Sequence, residues 1–186
     1  MPKCKYHNTK FIAKYFNQKF CLSDDECIKA FNEWVKEEKQ KKIQKQQKEF
    51  AVVERKYNDE KKLTASLLNT KTQVHAYVRK RDEGKPCISC NKPHEKTFEA
   101  GHHYSANSFL TLKFNLDNIN GQCLYCNRHL ESNFDNYALN LPNRIGTESY
   151  DKLVKLAGVD KQFSKVWNLE NLKEIRDNIK KLNKEL

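Results

Sequence analysis

At 186 residues, with 38% hydrophobic and 32% charged side chains, the chain suits one ordinary domain with appendages or two small ones, and not a large apolar core. It has no run of 18 apolar residues and no signal-peptide-like apolar stretch in its first thirty, so a soluble, cytoplasmic protein is expected. The net charge of +11 is uneven: residues 1–83 hold 20 Lys/Arg against 12 Asp/Glu, whereas residues 84–144 hold 6 against 5 and residues 145–186 hold 9 against 7. A basic N-terminal half suits a polyanion, most simply a nucleic-acid backbone; the bland alternative is a solvated helix whose lysines bind nothing.

Residues 1–27 read as a small module carrying Cys4, His7, Cys21 and Cys27. Its aromatics, Phe11, Tyr15, Phe16 and Phe20, are too few to fold so short a segment without a metal. Ser23 and Glu26 have the spacing of a capping box and predict a helix start there. Residues 28–83 form a basic arm, within a helix expected from about 24 to 82 with one break before "TASLLNTKTQVHAYVRKRD". Neither glycine nor proline occurs between Lys3 and Glu83. Ile43, Phe50 and Tyr57 recur every seven residues with Val53 between them, which predicts one narrow apolar seam. Leu67, Leu68, Val74 and Val78 are expected to pack on the next domain. That domain, 84–145, starts where the texture changes at "DEGKPC". Residues 146–186 are expected to be helical. In the last of them, Leu169, Leu172, Ile175, Ile179, Leu182 and Leu186 fall on one face, for packing or dimerisation.

Seven cysteines in an intracellular chain read as metal ligands rather than disulfides. "CISC" and "CLYC" supply Cys87, Cys90, Cys123 and Cys126, with 32 residues between the pairs. Four thiolates close a tetrahedral zinc site and leave no position for water, so that ion would be structural. Cys4, His7, Cys21 and Cys27 form a second, less regular set, for which free thiols are the alternative. The insert between the two pairs carries "FEAGHHYSANSFLTLKFNLDNIN", and the second pair runs directly into "NRHLESN". A strand with a histidine, a turn, a second strand and a zinc-pinned helix would make a ββα unit. It would bring His102 near Asn127. The fold class expected is α+β, mainly helical, with this unit as its core.

"VHAYVRKRDEGKPCISC", "FEAGHHYS", "LKFNLDNINGQCLYCNRHLESN" and "NRIG" together resemble the phage lambda-type NinG recombination proteins, over roughly 74 to 157. The resemblance implies an HNH-type, treble-clef ββα-metal nuclease that cleaves branched recombination intermediates such as Holliday junctions and D-loops. It further implies DNA as partner, a homodimer, phage or host recombinases as associates, and magnesium or manganese as catalytic ion. His102 matches the general base and Asn127 a metal ligand. Asn118 matches the asparagine that braces the hairpin. Gly101 stands where most Asp-His relatives carry an acidic ligand, so Glu99 is the nearest carboxylate. On an ideal strand Glu99 and His102 point to opposite faces, and a bulge at Ala100–Gly101 would be needed to bring them together. His129 is either a second ligand, a phosphate contact or a helix-packing residue. His103 reads as a surface or substrate contact, and His75 and His94 as incidental. The rival readings are a general HNH nicking enzyme and a zinc-based DNA-binding adaptor with a decayed site.

Overall fold

The computed structural model describes residues 1–160, 163 and 166–186. It is mainly helical, with one two-stranded sheet. Contacts gather the chain into two units, Met1–Asp59 and Glu60–Leu186, whose division falls inside helix α1 (Asp25–Arg81). The expected break in this helix is absent. No glycine or proline interrupts it, and Thr64, Thr70 and Thr72 satisfy their hydroxyls on the carbonyls four residues back, which keeps them compatible with a helix interior.

In the first unit, the N-cap of α1 is Asp24 rather than Ser23: its Oδ1 accepts from the Cys27 N–H at 2.8 Å, and Ser23 donates to Asp24 instead. Phe20 is buried against Phe31 and Trp34, with Phe11 and Leu22 beside it. The ammonium groups of Lys5 and Lys19 lie 5.1 and 4.9 Å from the Trp34 ring. Tyr15 and Phe16 take no part and are exposed, and so is the seam of Ile43, Phe50, Val53 and Tyr57.

In the second unit, β1 (Glu99–His102) pairs antiparallel with β2 (Ile119–Gln122), with Glu99 opposite Gln122 and His102 opposite Ile119. The pairing is in register, so the bulge expected at Ala100–Gly101 does not form. α4 (Leu169–Glu185) buries Leu172 and Ile179 against Val74, Val78, Phe114 and Ile119. Packing is therefore what its apolar face does here, although Leu169 and Leu186 stay exposed. Leu67 joins that core, whereas Leu68 is exposed, pointing away from the stripe that Val74 and Val78 define. α2 (Phe134–Ile145) and α3 (Thr147–Val159) meet at Gly146 and enclose Ile88, Leu112, Tyr137, Leu141 and Leu153. Asp160, at the end of α3, accepts from the backbone N–H groups of Leu110 and Thr111 and thereby holds the loop between the strands.

The end of α1 is fastened to the hairpin by a buried ion pair. Arg81 donates to the carbonyls of Leu116 and Ile119 and to Asn120, and also binds Asp82. Asp82, 2% exposed, accepts the Gly121 N–H at 2.8 Å. A Cβ on Gly121 would lie 3.0 Å from that of Asp82, so the close approach requires glycine.

Candidate functional site

The ligand atoms of Cys87, Cys90, Cys123 and Cys126 all lie within 4.8 Å of one another, and so do those of Cys4, His7, Cys21 and Cys27. Among the described residues these are the two such convergences of three or more His, Cys, Asp or Glu side chains. The Cys90 and Cys123 sulfurs are 3.8 Å apart, and in the first unit Cys4 and Cys21 each stand 3.6 Å from Cys27. A tetrahedral zinc thiolate has sulfur–sulfur edges of about 3.8 Å. Both clusters could therefore hold zinc. Burial pushes the Cys126 thiol up to about 12 and the Cys27 thiol up to about 11, whereas in Cys4 the hydrogen bonds from backbone N–H groups outweigh burial and hold the thiol down to about 6. Backbone N–H groups of Cys123 and Cys126 and the amide of Asn133 point at sulfurs of the second-unit cluster and orient it.

After that cluster the chain does not enter a regular helix. It makes a π-helical turn, Tyr125–His129, closed by the Leu130 N–H on the Tyr125 carbonyl. Three successive left-handed residues follow, Glu131, Ser132 and Asn133, with φ of 47°, 73° and 44°. They reverse the chain before α2. None is glycine, so each costs about 1 kcal/mol or more, offset by packing on either side. The expected zinc-pinned helix is thus a single wide turn, and Asn127 sits in its middle.

His102, on β1, donates from Nε2 to the Lys113 carbonyl at 3.0 Å. A carbonyl can only accept, so in the neutral ring Nδ1 carries the free lone pair. Burial lowers its pKa from the ordinary histidine value, the Lys113 carbonyl opposes this, and Lys71 and Lys113 add to the lowering. His102 is therefore a neutral base near pH 7. It shares with Asn127 the lining of two cavities, one of about 510 Å³ and one of about 290 Å³. Both residues expected near one another from the sequence therefore line the same two cavities.

Asn118 is fully buried and braces the loop: its Nδ2 donates to the Tyr104 and Leu112 carbonyls, and its Oδ1 accepts the Tyr104 N–H. Its own carbonyl accepts the His103 N–H. It holds the backbone on either side of His103 and lines neither cavity. Tyr137 adds a second brace, donating to the Gly101 carbonyl at 3.0 Å from inside α2.

Glu99 accepts from Asn127 Nδ2 at 2.7 Å and is spanned by the Arg128 guanidinium. Arg128 holds its carboxyl below the ordinary glutamate value, against the upward push of burial, with Asn127 assisting. In this regular pairing Glu99 and His102 stay on opposite faces of the strand; Glu99 reaches Asn127 but lines neither cavity that Asn127 shares with His102. Gly101 has a reason other than a bulge. A Cβ there would lie 3.0 Å from Gln122 Cβ and would strike the buried Gln122 amide oxygen. Gln122 uses its amide nitrogen to tie Ser89 and the Ser132 carbonyl together. The space an acidic ligand would occupy is already filled.

Glu99 and Asn127 would offer two oxygens to a hard divalent cation. With the Asn127 amide turned over, an oxygen would stand where Nδ2 stands, 2.7 Å from Glu99 Oε2. Neighbouring oxygens on octahedral magnesium are about 2.9 Å apart. Arg128, largely exposed, marks where positive charge is held beside Glu99.

Two residues read as incidental or peripheral occupy the site. His75 projects from α1 with its ring 5.5 Å from that of His102, and its Nε2 is buried without a partner. With Lys71, one turn earlier, it lines the smaller cavity. Their i, i+4 spacing beside buried Val74 and Val78 was the available signal. His103 is not on the surface: it is 4% exposed, stacked on Phe134 at 4.6 Å, and burial lowers its pKa to about 4. His129 is exposed beside Tyr125 and lines neither cavity. His94 packs edge-on against Phe98, also away from both cavities.

The model of the family described as "Bacteriophage Lambda NinG protein" matches residues 1–186. The chain belongs to the NinG family. It is 39% identical over 80 residues to protein ninG of Escherichia phage lambda, covering 43% of this chain and 39% of that protein. Protein ninG of Escherichia phage 933W is also 39% identical over 80 residues, covering 43% of this chain and 40% of the relative, and that of Salmonella phage P22 is 36% identical over 80, covering 43% and 39%. The matched segment thus spans about two-fifths of the length of these curated NinG relatives. No solved structure matches the chain. Among the described residues no helix is long and apolar enough to cross a membrane.

Proposed function

We propose that this NinG-family chain is a metal-dependent endonuclease that acts on branched DNA, with His102 as general base and Asn127 and Glu99 as holders of a magnesium or manganese ion. One observation carries the reading. His102 is oriented by the Lys113 carbonyl, kept neutral by burial, and opens onto cavities it shares with Asn127. Nδ1 then takes the proton of a water that attacks phosphorus in line with the departing 3′ oxygen. Asn127 and Glu99 would hold the magnesium or manganese ion, which would supply stabilisation of that oxygen's developing charge. The cysteine clusters, loaded with zinc, keep the hairpin and the π-helical turn in register and the N-terminal module folded.

The basic arm supplies electrostatic affinity for the DNA backbone. Resolving a branched intermediate needs two cuts related by symmetry, which a homodimer provides. The exposed Ile43, Phe50, Val53 and Tyr57 are the face through which two arms would pair. Recombinases of phage or host, working in the cytoplasm, are the associates this role calls for.

The test is to incubate the protein and magnesium with a four-way junction and with a matched linear duplex. Cleavage of the junction alone is expected, and His102→Ala should lower its rate by about 10²–10⁴-fold with binding unchanged. Equal cleavage of both substrates would replace the reading with a general nicking enzyme. The Arg128–Glu99 pair favours a second reading, a DNA-binding adaptor with a decayed site, and cleavage of neither substrate would select it.

A further inference from the structure

We propose that the larger cavity beside His102 is a subsite for one unpaired nucleobase, and that the smaller one takes the adjoining backbone phosphate. The inference rests on the reading of His102 and Asn127 as the place where the DNA backbone lies, since both residues line both cavities. The cavities differ in chemistry. The smaller, about 290 Å³, carries Lys71 and Lys113 in its lining and no carboxylate. The larger, about 510 Å³, carries Tyr104, Phe109 and Phe134, no lysine or arginine, and one carboxylate, Glu131. A phosphate is attracted to the first and repelled from the second. A flat, uncharged base suits the second, within the ordinary size range of ligand pockets.

The aromatic wall is already in place. Phe134 is 48% exposed at the cavity and backed by buried His103, whose ring lies 4.6 Å away at an interplanar angle of 6°. Tyr104 meets the same imidazole at 4.5 Å and Phe109 at 4.9 Å. His103 has no charge near neutral pH, so the stack presents π faces rather than a cation. Base–aromatic stacking is tolerant of sequence because every base has a π face. Glu131 would accept from an exocyclic amino group, which cytosine, adenine and guanine possess and thymine does not. A base inside a duplex must first be unpaired and unstacked, whereas one already unpaired, in a single strand or at an opened branch, enters without that cost. The cavity therefore supplies a preference for branched over linear DNA without a separate recognition domain.

The experiment measures binding of the full chain, without added magnesium, to a short single-stranded oligocytidylate and to an abasic phosphodiester of the same length. The wild type should bind the oligocytidylate about tenfold more tightly or better. Phe134→Leu keeps an apolar side chain of similar reach but removes the ring, and should lose most of that difference. Lys71→Ala should weaken both ligands alike. Equal binding of the two ligands by the wild type, or an undiminished base preference in Phe134→Leu, would overturn the proposal. The assay involves no cleavage, so a protein that fails to cut a junction yet shows the Phe134-dependent preference removes the nuclease reading and keeps this subsite.

Discussion

The two cysteine clusters offer nearly the same donor atoms in different surroundings. Cys4, His7, Cys21 and Cys27 sit over a few aromatic rings, with His7 reaching out to exposed Asp24 at 3.0 Å. Cys87, Cys90, Cys123 and Cys126 are tied to their neighbours by polar side chains: half-buried Asn133 donates to a sulfur, buried Gln122 joins Ser89 to the Ser132 carbonyl, and half-buried Asn140 donates to the Ile88 and Ser89 carbonyls. The first cluster joins the two ends of residues 4–27. The second joins the segments on either side of the hairpin and leads directly into the turn that carries Asn127. Similar chemistry therefore sits in a local module in one unit and beside the shared cavities in the other.

The largest expected effect comes from Cys126→Ser. A structural zinc contributes about 10–16 kcal/mol, as much as the whole stability of an ordinary domain. The variant should bind one zinc fewer per chain by elemental analysis and lose protease resistance throughout residues 60–186. Retention of both would place the ion's role elsewhere.

Next is the Arg81–Asp82 pair, which holds α1 to the hairpin. Asp82→Asn should destabilise the second unit by about 3 kcal/mol in thermal unfolding, since Arg81 is left partly buried without its charge partner. The pH dependence has a definite sign. Burial pushes the Asp82 carboxyl up, but Arg81, the Gly121 N–H and Lys85 outweigh it and hold it below its ordinary value. Its stabilisation is complete above the unfolded carboxyl pKa, about 3.9, and is lost as pH falls through the lower folded value. Asp82→Asn should therefore flatten the wild-type loss of stability in that acid window.

Asn118→Ala removes hydrogen bonds to Tyr104 and Leu112 and should cost about 1–3 kcal/mol. Cleavage should fall with it while the oligonucleotide affinity of the arm is kept. Smallest in reach is Cys21→Ser: one zinc is lost, proteolysis opens residues 1–27, and the melting of residues 60–186 is unchanged. A transition shared by both units would break the comparison.

Much of this arrangement was legible in the sequence because cysteine spacing and the residues around it constrain geometry strongly. Two Cys-x-x-Cys pairs with His102, Asn118 and Asn127 between and after them left few ways to fold. Glu99 was found as the nearest carboxylate, although by way of a bulge that the strand does not form. What was hidden depends on long-range packing. Lys71 and His75 look like any polar helix face until Val74 and Val78 dock and turn that face toward His102. The π-helical turn has no period of its own, and the left-handed run at Glu131–Asn133 contains no glycine to announce it. Helix α2 was obscured by Pro142, which sits in its last turn and removes the N–H that would otherwise bond the Ala138 carbonyl.

Gly101 and Gln122 carry a lesson for anyone redesigning this centre. Grafting an aspartate beside the histidine would be a single codon change on paper, yet the new side chain and the resident glutamine claim one volume. The graft becomes feasible only as a coupled pair, with residue 122 shortened first and Ser89 and the Ser132 carbonyl given a new donor. Changing Gly101 alone would leave a chain that packs worse than either the present pair or a correctly coupled one.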